Sequence, residues 1–179
     1  LFCYQLVLPP MFTFLLQKED AAAITRRLST ARLNEEDALR YLRLGDFTRA
    51  SAWARTASGA MKAPGEGQTS PEGAFGLTLV PKADVDVKGR LDGLGRMIDA
   101  LALARPDLAP KLVTVTEKRG EAVKAWGERE FVRSAALLDE GAQLLVAAVE
   151  GHSEDLTALW ELEKLLGSAT AGKNGLAVQ

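Results

Sequence analysis

The chain has 179 residues, 47% of them hydrophobic and 26% charged, with 22 Lys and Arg against 24 Asp and Glu for a formal net charge of −2. This is globular rather than disordered usage, enough for one compact domain or one domain with an appendage, and so even a charge balance creates no long-range field to recruit a phosphate backbone. A single cysteine, Cys3, excludes an internal disulfide and a thiolate-rich zinc site, and a single histidine, His152, excludes a two-histidine metal centre. No nucleic acid, metal or other cofactor is therefore expected. Aromatic residues make up only 6% of the chain; the residues that dominate it, Ala, Leu, Arg and Glu, lose little rotamer freedom in a helix and predict an all-α protein.

Residues 1–17, LFCYQLVLPPMFTFLLQ, carry no charge. Leu1 stands where a start methionine would, which fits either a processed chain or one whose start lies upstream. Seventeen residues is at the short limit for a bilayer span, and Pro9-Pro10 interrupts the helix that a span would need. Three readings stay open. The segment packs on the helical body through Phe12, Phe14, Leu15 and Leu16, or it anchors the chain at a membrane, or it is a docking strip for another subunit, since so apolar a run would otherwise be an exposed patch.

Residues 18–62 read as N-terminal helical hairpins. A helix from about Glu19 to Leu33 ends on basic residues that suit its dipole. Asn34 then reads as an N-cap, with Glu35, Glu36 and Asp37 filling the first turn of the next helix, which stops at Gly45-Asp46. Phe47, Ala50, Ala54, Ala57 and Met61 share one face of a third helix. Residues 63–87 are different: a Pro- and Gly-rich stretch from Ala63 to Gly76 reads as a linker, and the alternation of LTLVPKADVDV (residues 77–87) suggests a short β-hairpin around Pro81-Lys82.

Residues 88–167 read as a C-terminal helical bundle. Leu91, Leu94, Ile98 and Leu101 form an apolar stripe ended by Arg105-Pro106. Asp107 can cap the next helix, whose LVTVT body (residues 112–116) could instead be a strand, although EKRGEAVKAW continues it in helical composition. From near Glu128, the positions Phe131, Ala135, Leu138, Ala142, Leu145 and Val149 keep a heptad seam. Gly151-His152 breaks it, the last helix starts at Ser153 and ends at Gly167, and residues 168–179 read as a flexible tail. About six helices with short connections make antiparallel hairpins or a bundle.

Two halves echo each other when Phe47 is aligned with Phe131: ALRYLRLGDFTRASAWARTASGAM from Ala38 lies against AVKAWGEREFVRSAALLDEGAQLL from Ala122. Small residues let antiparallel backbones approach, and a large residue at the corner covers the turn. With Ala38, Tyr41, Gly45, Phe47, Ala50 and Ala57 at these offsets, residues 34–64 resemble a tetratricopeptide-repeat hairpin, departing from it at Asn34, at Ala54 and in a closing proline, Pro64, two residues late. The resemblance implies a scaffold that binds proteins or peptides.

The sequence holds no phosphate loop, no Glu-x-x-His pair at His152, and no calcium-loop spacing around Asp84 and Asp86. His152 falls in an inter-helix turn, where solvation or helix capping explains it. Trp53, Trp126 and Trp160 are spread over three helices, which favours core filling over a shared aromatic pocket. The expectation is a non-enzymatic interaction or assembly subunit with a protein partner, held through its N-terminus. Tyr41, Phe47 and Trp53 of the first hairpin, with Phe12 and Phe14 of the apolar segment, are the candidate partner-binding residues. A bundle binding a small apolar ligand, and an enzyme of unrecognised chemistry, are the alternatives.

Overall fold

The computed structural model describes residues 10–61 and 83–176, with side chains from 25 to 61 and from 84 to 169. The described residues are all-α. Six α-helices follow one another: α1 (Pro10–Arg43), α2 (Phe47–Met61), α3 (Ala83–Ala104), α4 (Ala109–Gly127), α5 (Phe131–Ala148) and α6 (Ser153–Leu176), with a 3-10 turn at Pro106–Leu108 before α4. The hairpins α1/α2 and α4/α5 and the antiparallel pair α3/α6 are the main packing units; α6 also lies on α1 and α2, and α4 and α5 on α3.

The helix expected to end at Leu33 does not end there. Leu28, Ala31, Glu35, Ala38 and Leu42 are all buried at alternating three- and four-residue spacing, an unbroken stripe that carries α1 straight through Asn34. Asparagine inside a helix costs only some tenths of a kcal/mol against alanine, roughly, and burial of this stripe outweighs it. Glu35 is accordingly no first-turn carboxylate but a buried one.

Three other expectations are corrected. Residues 83–87 are the first turn of α3 rather than a strand, with Asp84 and Asp86 at the positive end of the helix dipole and Val87 buried; residues 77–82 lie outside the described residues, as does the linker. Asp107 caps no helix: its carboxylate takes both Nε and Nη2 of Arg105, at 2.8 and 2.7 Å. Gly167 does not end α6, which continues to Leu176 through much of the expected tail. Gly167 serves close approach instead, since a Cβ on Gly89 would lie 2.7 Å from the Gly167 Cα. The helices α3 and α6 thus cross backbone to backbone. LVTVT (residues 112–116), where strand and helix competed, lies within α4.

The echo between the two hairpins is geometric as well as sequential. In the first, Gly45 N–H donates to Leu42 C=O and Asp46 N–H to Tyr41 C=O; in the second, Arg129 N–H donates to Trp126 C=O and Glu130 N–H to Ala125 C=O, the same bonds 84 positions later. Both turns place one residue in the left-handed region, Gly45 at φ 75° and Arg129 at φ 61°. These are Schellman closures, which satisfy the last carbonyls of the first helix while reversing the chain. Each turn is then braced by an ion pair across i,i+3, Arg49 to Asp46 and Arg133 to Glu130.

Candidate functional site

The first hairpin and α6 meet in a polar knot near the α1/α2 turn. Ser51 Oγ donates to Asp155 Oδ1 at 2.6 Å, and His152 Nδ1 lies 3.2 Å from Asp155 Oδ2. The imidazole stacks on Phe47, with ring centroids 4.4 Å apart. Asp155 sits between the serine and the histidine, so His152 has no path to the Ser51 hydroxyl as its base, and the arrangement is a clasp rather than a nucleophile pair. Burial works against the Asp155 charge, but the bonds from Ser51 and His152 outweigh it and hold the carboxyl below its usual range. The His152 carbonyl accepts from Leu156 N–H at the start of α6, while its side chain goes to Asp155 and Phe47 rather than to a backbone N–H.

Of the candidate partner-binding residues, Phe47 belongs to the core at 5% exposure, stacked on His152 and covered by the clasp. Tyr41 and Trp53 are half-buried against that core, and the Arg49 guanidinium stands 5.7 Å from the Tyr41 ring. Phe12 and Phe14 are on α1, in the part of the helix whose side chains are outside the described residues. The structure therefore groups Tyr41, Phe47 and Trp53 on one hairpin, and leaves Tyr41 and Trp53 as its partly exposed members. The tryptophans stay apart on α2, α4 and α6: Trp126 Nε1 donates to the Asp84 carbonyl and Trp160 Nε1 to Asp139 Oδ1. Among the described residues no two tryptophan rings meet.

A second cluster, unforeseen in the sequence, joins α1, α3 and α6. One nitrogen of Arg96, Nη2, lies 2.8 Å from Glu35 Oε1 and 2.7 Å from Glu163 Oε2. Glu35 receives a further bond from Arg32 Nη1 at 2.8 Å. Both carboxylates are almost wholly buried, at 5% and 3% side-chain exposure. Gly93 makes this possible, because any Cβ there would strike the Glu163 carboxylate. Burial, and then the neighbouring Glu35, push the Glu163 carboxyl up to about 7 against the pull of Arg96. Arg96 Nε is buried with no acceptor.

Beside this cluster runs a groove of about 510 Å³ between α1 and α3, lined by Arg32, Glu35, Glu36, Leu39, Arg43 and Arg96. Five of its six lining residues are charged, so its walls suit a polar or peptide ligand better than an apolar one. Among the described residues no group of His, Cys, Asp and Glu is placed to hold a metal ion.

The register of the helices fixes how far they support α1. Ser51 ties the start of α6 to the α1/α2 turn, and Arg96 ties Glu163 to Glu35, so α6 runs antiparallel to α1. Ser168 donates to Asp86, so α3 runs antiparallel to α6 and parallel to α1. Measured from this cluster, the described lengths of α3 and α6 reach along α1 only to the level of about residue 22 at the ideal helical rise. The head of α1, from Pro10, extends roughly 18 Å further at 1.5 Å per residue. Comparison of the chain with models of known protein families, with curated proteins and with solved structures finds no match in any of the three.

Proposed function

We propose that this chain is a non-enzymatic helical interaction or assembly subunit that engages a protein partner through the head of α1. One observation carries the reading. The continuous helix α1 begins in the uncharged run PMFTFLLQ and continues into the bundle as its buried stripe, while the described lengths of α3 and α6 stop short of that head. A helix built into a core at one end and apolar at the other is a rigid mount for a docking strip. The tetratricopeptide-like features of the first hairpin support the same class of function: Ala38, Ala50 and Ala57 are fully buried where the backbones approach, and Tyr41 and Trp53 keep part of their surface on the same hairpin.

A lipid bilayer is the second reading, favoured by the absence of charge from Leu1 to Gln17. Among the described residues no helix is long and apolar enough to cross a membrane. The test uses the full chain and a chain lacking residues 1–17, each presented to a lysate and to phosphatidylcholine vesicles. Recovery of one stoichiometric protein partner by the full chain alone is the expected result. Co-flotation of the full chain with vesicles, without a partner, would transfer the function to membrane attachment. Equal partner recovery by both chains would overturn the role of the head of α1.

A further inference from the structure

We propose that Glu163 is a proton-binding site that sets how firmly α6 is held against α1 and α3. The geometry assigns the proton to Glu163 rather than to Glu35. Two buried carboxylates converge on the single nitrogen Nη2 of Arg96, and Glu35 has the Arg32 guanidinium besides, whereas Glu163 has only its share of Arg96. Two adjacent carboxylates out of water repel when both are ionised, and the less compensated one takes up a proton first. A neutral Glu163 can donate to Glu35, which leaves Arg96 to serve one full negative charge. When Glu163 loses that proton, its buried charge has only a share of Arg96 Nη2, which Glu35 also uses, and the junction weakens. Its carboxyl, pushed up to about 7 by burial and by Glu35, loses the proton around neutral pH rather than in acid.

The charged groups facing Glu163 come from each helix packed on α6. From α1 they are Glu35, with Arg32 behind it; from α3, Arg96, with Asp92 nearby. Arg55 of α2 acts on Asp155, and Asp139 of α5 is bonded to Trp160, both on other turns of α6. On α6 itself, Glu161 pairs with Lys164 at 2.6 Å. None of these offers Glu163 a second cation.

The sign of the effect follows from linkage. Glu163 has its pKa raised in the folded state from an unfolded value of 4.5, so the folded chain holds a proton that the unfolded chain has released. The contribution of Glu163 to stability is greatest below the unfolded value, falls as pH rises toward 7, and is level above it. The folding equilibrium constant should drop on the order of a hundredfold across this window.

The experiment is urea unfolding of the full chain and of Glu163→Gln at several pH values between 5 and 8. Glutamine keeps the size and the donor of the protonated acid, so the variant should hold its stability at pH 8 while the parent loses its own. His152, present in both chains, cancels in the difference. A parent and variant with the same slope would overturn the proposal. Carbon-13 NMR titration of the Glu163 carboxyl in the unmutated chain decides independently of how the variant folds: a midpoint near 7 supports the switch, and a midpoint in the ordinary carboxylate range contradicts it.

Discussion

Replacing Gly89 by alanine should drive α3 and α6 apart, and the size of the effect can be worked from the crossing. The new methyl group would lie 2.7 Å from the Gly167 Cα and 3.7 Å from its nitrogen. These are backbone atoms of a continuous helix, so no side chain can swing away to relieve the contact. Overpacking of this kind costs about 1–3 kcal/mol, and the better helix propensity of alanine returns at most about 1 kcal/mol. The net loss of up to about 2 kcal/mol corresponds to a melting temperature lower by up to roughly 6 °C in a chain of this size. Gly120→Ala is the matched control, because a Cβ at Gly120, inside α4, meets nothing within 4 Å. There the same substitution should stabilise by about 0.5–1 kcal/mol. Urea unfolding followed by far-ultraviolet circular dichroism measures both. If Gly89→Ala proves as stable as Gly120→Ala, the close crossing of α3 on α6 is wrong.

Two further outcomes follow from the turns and the clasp. Arg129→Gly should stabilise the chain by roughly 0.5–1 kcal/mol, read by urea midpoint, because Arg129 is exposed and held at φ 61°, where a Cβ is penalised. No gain would mean that the second turn does not hold its left-handed residue. Asp155 has its carboxyl held down by Ser51 and His152 against burial, so it contributes stability that is present above its unfolded pKa and lost as pH falls through the folded value. Asp155→Asn should therefore flatten the acid limb of the stability profile in thermal melts between pH 2 and 5, and an unchanged limb would show the clasp to be idle.

The parts of the fold that were legible in the sequence are those set by local pattern. The α2 face, the α5 seam and the corresponding turns all follow from three- and four-residue spacing and from residues such as Gly45 that turns demand. The boundary at Asn34 was misread because a cap residue followed by acids is a local signal, while the stripe from Leu28 to Leu42 that overrides it is buried by other helices. Gly167 was misread for the same kind of reason: a glycine that ends a helix and a glycine that admits another backbone look alike until the partner, Gly89, is in place. The Glu35–Arg96–Glu163 cluster was hidden because its members are far apart in the chain and each resembles surface charge. One signal did exist. Glu35 falls on the stripe of Leu28, Ala31, Ala38 and Leu42, and Glu163 on that of Leu156, Leu159 and Leu166, so each acid occupies a position that the helical period assigns to the core.

The most direct test of the docking account is a thermal melt of the chain lacking residues 1–17, followed by circular dichroism beside the full chain. If the head of α1 is a mounted strip rather than part of the core, the shortened chain keeps one cooperative transition within a few degrees of the parent. A broad, non-cooperative loss of helix would show that Leu1 to Gln17 is needed to hold the bundle together, and would contradict the account.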